Sequence, residues 1–125
     1  MSRRQTQQGF PAWPGSKSGI GFSQRVGPYT GVDFDRTIEF SNGRKFRIIT
    51  YQAYNACGLI GSEYNGVAIL DEDQHRVLCD NIAAESTGYN GVSRRQWKEA
   101  IRICRMPWEH FEAFVDTNPR KRYSL

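Results

Sequence analysis

Histidine, paired cysteine and long apolar runs are what this chain most lacks, and each shortage narrows the range of functions. Only two histidines, His75 and His110, occur in 125 residues. Histidine is the commonest general acid or base, and no local pattern marks either one for that work. The three cysteines, Cys57, Cys79 and Cys104, contain no C-x-x-C pair. Their spacing argues against a zinc knuckle and against a disulfide framework, and favours reduced thiols in a cytosolic protein. No stretch approaches the roughly 18 apolar residues of a membrane-spanning helix. Arg3 and Arg4 are not followed by an apolar segment, so no secretory signal is expected. Neither Gly19-Ile20-Gly21 nor the Gly58/Gly61 pair completes a phosphate-binding loop.

Acidic residues are present but do not form a recognisable metal site. Asp71, Asp73, His75 and Asp80 superficially resemble ligands. An EF-hand loop starting at Asp71 would need glycine at its sixth position and glutamate at its twelfth, where Arg76 and Ile82 stand. An acidic turn is the better reading. A small enzyme pairing His110 with Cys79 or Cys57 is a weak third alternative, because nothing local marks these thiols as activated. No metal, no cofactor and no catalytic residue is assigned.

What the chain does have is segregated charge. The net charge is +4 and the isoelectric point about 9.1, which favours anionic partners without requiring them. From Glu63 to Glu85 there are six acids (Glu63, Asp71, Glu72, Asp73, Asp80, Glu85) against one base, Arg76; from 86 to the end there are eight bases and four acids. A dipolar molecule is expected, with an acidic hairpin and a basic helical end.

The length suits one domain with one modest core. Residues 1–32 hold six glycines and three prolines and read as an extended irregular arm. Its Phe10, Trp13, Phe22 and Tyr29 are unusual in a solvating tail, so the arm is expected to dock, in cis or on another chain. Residues 33–118 form the domain, and 119–125 a basic tail containing Arg120-Lys121-Arg122.

Within the domain, 36–40 and 44–49 flank Ser41-Asn42-Gly43, a strong hairpin signal. A two-residue loop would mix polar and apolar side chains on both faces. A three-residue loop with Gly43 as a bulge pairs Ile38 with Phe46, sets Ile38, Phe40, Phe46 and Ile48 on one face, and brings Glu39 opposite Lys45. Clean alternation is what a half-buried strand needs, so the three-residue loop is expected. Residues 51–62 are ambiguous, with a short helical turn ending at Gly58 as one option. Residues 66–70 and 75–79 read as a second hairpin around Asp71-Glu72-Asp73-Gln74. Residues 81–92 read as a loop with a helical turn at 82–84. Tyr64-Asn65-Gly66-Val67 and Tyr89-Asn90-Gly91-Val92 echo each other, but two copies do not make a repeat architecture.

Two helices close the domain. Ser93-Arg94-Arg95-Gln96 fits a capping box, and Trp97, Ala100, Ile101 and Cys104 follow as a buried stripe. Pro107 suits the first turn of the second helix, whose apolar face is Trp108, Phe111, Phe114 and Val115, and Asn118-Pro119 ends it. The expected fold is therefore small α+β: two hairpins forming one antiparallel sheet, with the C-terminal helical pair on one face.

The functional candidates follow from this plan. Arg94, Lys98, Arg102 and Arg105 run down the outer side of the first helix, where they would meet phosphates. Arg102 and Arg105 also suit the helix dipole with no function at all. Arg44, Lys45 and Arg47 at the first hairpin tip are a second basic cluster that would strengthen the site if it converged on the helix. Tyr54, Tyr64 and Tyr89, with Tyr51, sit in or beside Asn- and Gly-rich loops and are candidates for stacking on bases. The expected function is non-enzymatic binding of nucleic acid or a nucleotide phosphate, or blockade of a host nucleic-acid machine, in the manner of phage or mobile-element accessory proteins. The expected setting is the cytoplasm, of the host cell if the protein is viral. No membrane partner is expected, and a homo-oligomer is. The main alternative is an assembly protein whose arm wraps neighbouring subunits.

Overall fold

A computed structural model describes residues 9–15, 24–54, 65–85 and 92–118, with backbone only at 53–54. In chain order the elements are β1 (Arg25–Val26), β2 (Tyr29–Thr30), β3 (Asp35–Glu39), β4 (Lys45–Tyr51), β5 (Ala53–Tyr54), β6 (Asn65–Asp71), β7 (Arg76–Glu85), α1 (Arg94–Cys104) and α2 (Trp108–Thr117). The fold is α+β. Strands β3-β4-β6-β7 form an antiparallel sheet, and β1-β2-β5 form a second, smaller one.

The β3–β4 hairpin has the three-residue loop that face alternation requires. Ile38 pairs with Phe46 and Glu39 with Lys45. The Phe40 N–H donates to the Arg44 carbonyl at 3.0 Å, and the Gly43 N–H to the Phe40 carbonyl at 2.9 Å. Gly43 sits at φ +89, in the left-handed region that glycine occupies without strain. The second hairpin turns through 72–75, with Asp71 opposite Arg76.

Strand β7 runs beyond the expected end at residue 79. Residues 81–85 continue the sheet rather than forming a loop with a helical turn. Asn81 (φ 58) and Ala83 (φ 54) adopt left-handed backbone, and the register against β6 shifts three times. These are bulges, which kink an edge strand without ending its pairing. A run that breaks strict alternation therefore looks like a loop in the sequence.

The sheet is covered on both faces. On one, Ile38, Phe40, Phe46, Ile48, Val67 and Ile69 meet Trp97, Ala100, Ile103 and Cys104 of α1 and Phe111 and Val115 of α2. Phe46 and Phe111 have ring centroids 4.7 Å apart, and Trp108 caps Phe40 at 5.1 Å. On the other, Ile49, Tyr51, Ala68, Leu70 and Val77 meet Val26, Tyr29 and Val32. The last part of the expected arm thus supplies a lid for the second face, with Tyr29 wholly buried. Residues 53–54 pair with β2; the possible helical turn ending at Gly58 lies outside the described residues.

The capping box is complete: Ser93 Oγ accepts from the Gln96 N–H, and Gln96 Oε1 accepts from the Ser93 N–H. The buried stripe is rotated slightly from the expected one. Ile103 is buried and Ile101 is only half-buried. Positions 96, 97, 100, 103 and 104 centre the stripe, and Ile101 falls on its margin. Pro107 stands at the N-cap of α2 rather than inside its first turn, and Asn118 ends the helix in extended backbone, as a residue before proline prefers.

The Tyr51 hydroxyl donates to Asn81 Oδ1 and accepts from the Asn81 N–H, both at 3.0 Å. Its ring lies against Gly66. A Cβ there would fall 2.7 Å from the hydroxyl oxygen and 3.0 Å from Cζ. Gly66→Ala should therefore destabilise the fold by about 1–3 kcal/mol. In urea unfolding, Gly66→Ala combined with Tyr51→Phe should lose less than the sum of the single changes; strict additivity would mean the contact is not the cause.

Burial, and secondarily the Asp80 carboxylate, raise the Tyr51 pKa above its ordinary value of 10.0. The folded state thus favours the neutral phenol. Its contribution is complete below about pH 10 and is lost as the unfolded chain ionises above that, at up to ~1.4 kcal/mol per pH unit. Stability measured from pH 9 to 11 should fall less steeply for Tyr51→Phe than for the parent; equal slopes would contradict the assignment.

Candidate nucleic-acid interface

The capping box and buried stripe of α1 decide which of its side chains face outward. Arg94, Lys98, Arg102 and the C-cap Arg105 lie along one side of a groove of about 720 Å³. Trp97 and Ile101 line its floor, and Phe10-Pro11-Ala12-Trp13 form the opposite wall. The arm docks in cis at this point. The Trp97 indole N–H donates to the Pro11 carbonyl at 2.9 Å. The Trp13 indole N–H donates to the Val92 carbonyl at 2.8 Å. These reciprocal bonds clip a short strap across the start of α1. Phe10 also stacks on Phe34, with centroids 6.1 Å apart.

The arginines are arranged by the strap. The Arg94 guanidinium lies 4.9 Å over the Trp13 ring, and that of Arg105 lies 5.3 Å over Phe10. Arg36 approaches the same Phe10 ring at 4.5 Å. Such cation–π contacts are worth about 0.5–1 kcal/mol when exposed, enough to bias a long side chain towards one position.

The four cations beside the groove are not equivalent. Arg102 forms a bidentate pair with Glu99, at 2.9 and 2.7 Å, which raises its already high pKa. Arg94, Lys98 and Arg105 have no acidic partner within 4.0 Å among the described residues. Neighbouring Arg95 is held by Glu85 at 2.9 Å and by the Ala83 carbonyl at 3.2 Å.

The first hairpin tip does not join this groove: none of Arg44, Lys45 and Arg47 lines it. Arg44 binds the buried Asp71 at 2.9 Å and lies over the Phe46 ring. Arg47 forms a bidentate pair with Asp35, at 2.7 and 2.6 Å, and approaches Glu72 at 3.8 Å. The pair with Asp35 raises the Arg47 pKa. Lys45 lies opposite Glu39, and its N–H donates to Asp73. Arg44 is thus compensated at the acidic turn, and Arg47 chiefly by Asp35 of its own hairpin. The tip thus lies apart from the groove, with Arg44 and Arg47 ion-paired.

The stacking candidates fare differently. Tyr51 is a buried strand residue. Tyr64, Tyr89 and the Tyr54 side chain lie outside the described residues. The aromatics that do line the groove are Phe10 and Trp13 of the arm and Trp97 of the α1 stripe; the proximity of the first two to Arg94 and Arg105 depends on how the arm folds back. In the sequence Ile101 reads as part of the buried stripe, so no local signal marks a groove beside α1.

Asp71 explains the ligand-like cluster. Its Oδ1 accepts from the Asp73 and Gln74 N–H groups at 3.0 and 3.1 Å, while Oδ2 accepts from Arg44. It is a turn-forming carboxylate. No group of three metal-ligating side chains occurs among the described residues. Cys79 is buried, and its thiol donates to the Val115 carbonyl at 3.6 Å, while His110 is exposed on α2. Searches of family models, curated proteins and solved structures find no match to this chain.

Asp71→Ala would leave two turn N–H groups and Arg44 without their acceptor. The expected loss is about 1–3 kcal/mol in chemical unfolding; a change below half a kcal/mol would show that the turn does not depend on the carboxylate.

Proposed function

We propose that the protein is a binding module for nucleic acid or a nucleotide phosphate, and that α1 carries the site. The observation that supports this is a single one: Arg94, Lys98 and Arg105, without acidic partners among the described residues, border one aromatic-walled groove. Positive charge beside accessible, half-buried aromatic and apolar surface is the combination that phosphate-and-base ligands reward. The phosphates lie along the cationic edge, and the base or sugar enters between strap and helix. The proposal assigns no reaction. A role in occupying or masking a nucleic-acid machine's substrate is a natural use of such a module.

Fluorescence anisotropy with a labelled single-stranded oligonucleotide tests the proposal. Three neutralised phosphates predict a slope of log affinity against log salt of about −2. Lys98→Glu and Arg105→Glu should each weaken binding by about tenfold or more and flatten that slope, and Lys98→Glu should do so without lowering the unfolding midpoint. Lys45→Ala, at the hairpin tip, should leave affinity unchanged. Binding that is absent, or indifferent to salt, would reject the proposal.

A further inference from the structure

The strap is more than a wall. Residues 10–13 touch α1 and the residues that flank it through two indole bonds and two arginine–ring contacts. Each ring contact involves a cation that lacks an acidic partner among the described residues. Trp13 holds Arg94 at the start of the helix, and Phe10 holds Arg105 at its end. Eleven residues separate the two arginines, which places their backbones about 16 Å apart along the axis. Lys98 stands between them, about 6 Å from the first. A mononucleotide gathers its phosphates at one end and meets one part of this row. A chain of phosphodiesters meets all three cations in turn. A duplex keeps its bases stacked, so none is free to enter the groove beside the row.

We infer that the ligand is an extended single strand, and that Phe10 and Trp13 are positioning residues that hold Arg105 and Arg94 for its successive phosphates. This rests on the function proposed above and specifies its ligand. The rings do not need to stack on bases; their faces are already occupied by guanidinium groups. Their effect is to remove rotamer freedom from two long side chains before the strand arrives, which lowers the entropy loss on binding.

The test compares the full-length protein with Trp13→Ala, Phe10→Ala and Trp13→Phe, using a labelled oligothymidine, the matching duplex and adenosine triphosphate as probes. The single strand should bind more tightly than either other probe. Trp13→Ala and Phe10→Ala should each weaken it by about threefold to tenfold and reduce the salt slope, because a mobile arginine engages its phosphate less completely. Trp13→Phe keeps a ring under Arg94 and should recover most of the slope, although it loses the indole bond. A role confined to stability would lower the unfolding midpoint without moving the slope. If the parent binds the strand but the alanine variants keep its affinity and slope, the positioning role is overturned and the binding site stands. Equal affinity for triphosphate and strand overturns the extended-ligand assignment. If no nucleic acid binds, both this inference and the function beneath it fail.

Discussion

Burying both faces of the four-stranded sheet is the constraint on which the rest of the structure depends. Strand β6 lies between β4 and β7 and is buried along its whole length. Such a strand needs apolar cover on each side. The helical pair covers one face, while Val26, Tyr29 and Val32 cover the other. A chain of 125 residues has little surplus for a second layer, so a Gly- and Pro-rich segment is recruited into it. The same crowding leaves no room for a side chain at position 66, because the Tyr51 ring is held there by Asn81.

Ion pairing then decides which charges remain available. The turn at 72–75 and the tip of β3–β4 come together because β6 and β4 are neighbours. Arg44 meets Asp71 there and Arg47 approaches Glu72, while the shorter pair of Arg47, with Asp35, lies within the β3–β4 hairpin itself. Partly exposed pairs of this kind add little stability. Their larger consequence is electrostatic: a basic cluster that appears free in the sequence is largely compensated in the fold. On α1, Glu99 and Glu85 engage Arg102 and Arg95. Among the described residues, the cations of that helix and its C-cap without acidic partners, Arg94, Lys98 and Arg105, border the groove.

The strap connects this charge pattern to a possible ligand site. An irregular segment orders only when contacts offset its lost entropy. Here two indole N–H bonds, a phenylalanine stack and three arginine–ring contacts do so. The segment that closes the groove also holds two of its arginines, so the shape and the charge of the site depend on one docking event.

Local rules determined the parts of this protein that answer to local physics. The Asn-Gly turn and face alternation specified the β3–β4 register, because a slip of one residue would have turned Phe40 or Phe46 outward. Ser93 and Gln96 specified where α1 begins, because a capping box is satisfied within four residues. The fold class followed from those elements. The tertiary structure alone decided the rest. Bulges at Asn81 and Ala83 extended β7 where the alternation fails. The rotation of α1 buried Ile103 and left Ile101 at the groove, since packing against the sheet chooses the centre of the stripe. The pairing of Arg44 with Asp71 depended on strand order. The docking of Phe10 and Trp13 joined residues about 80 positions apart, and no sequence period reports a contact of that range.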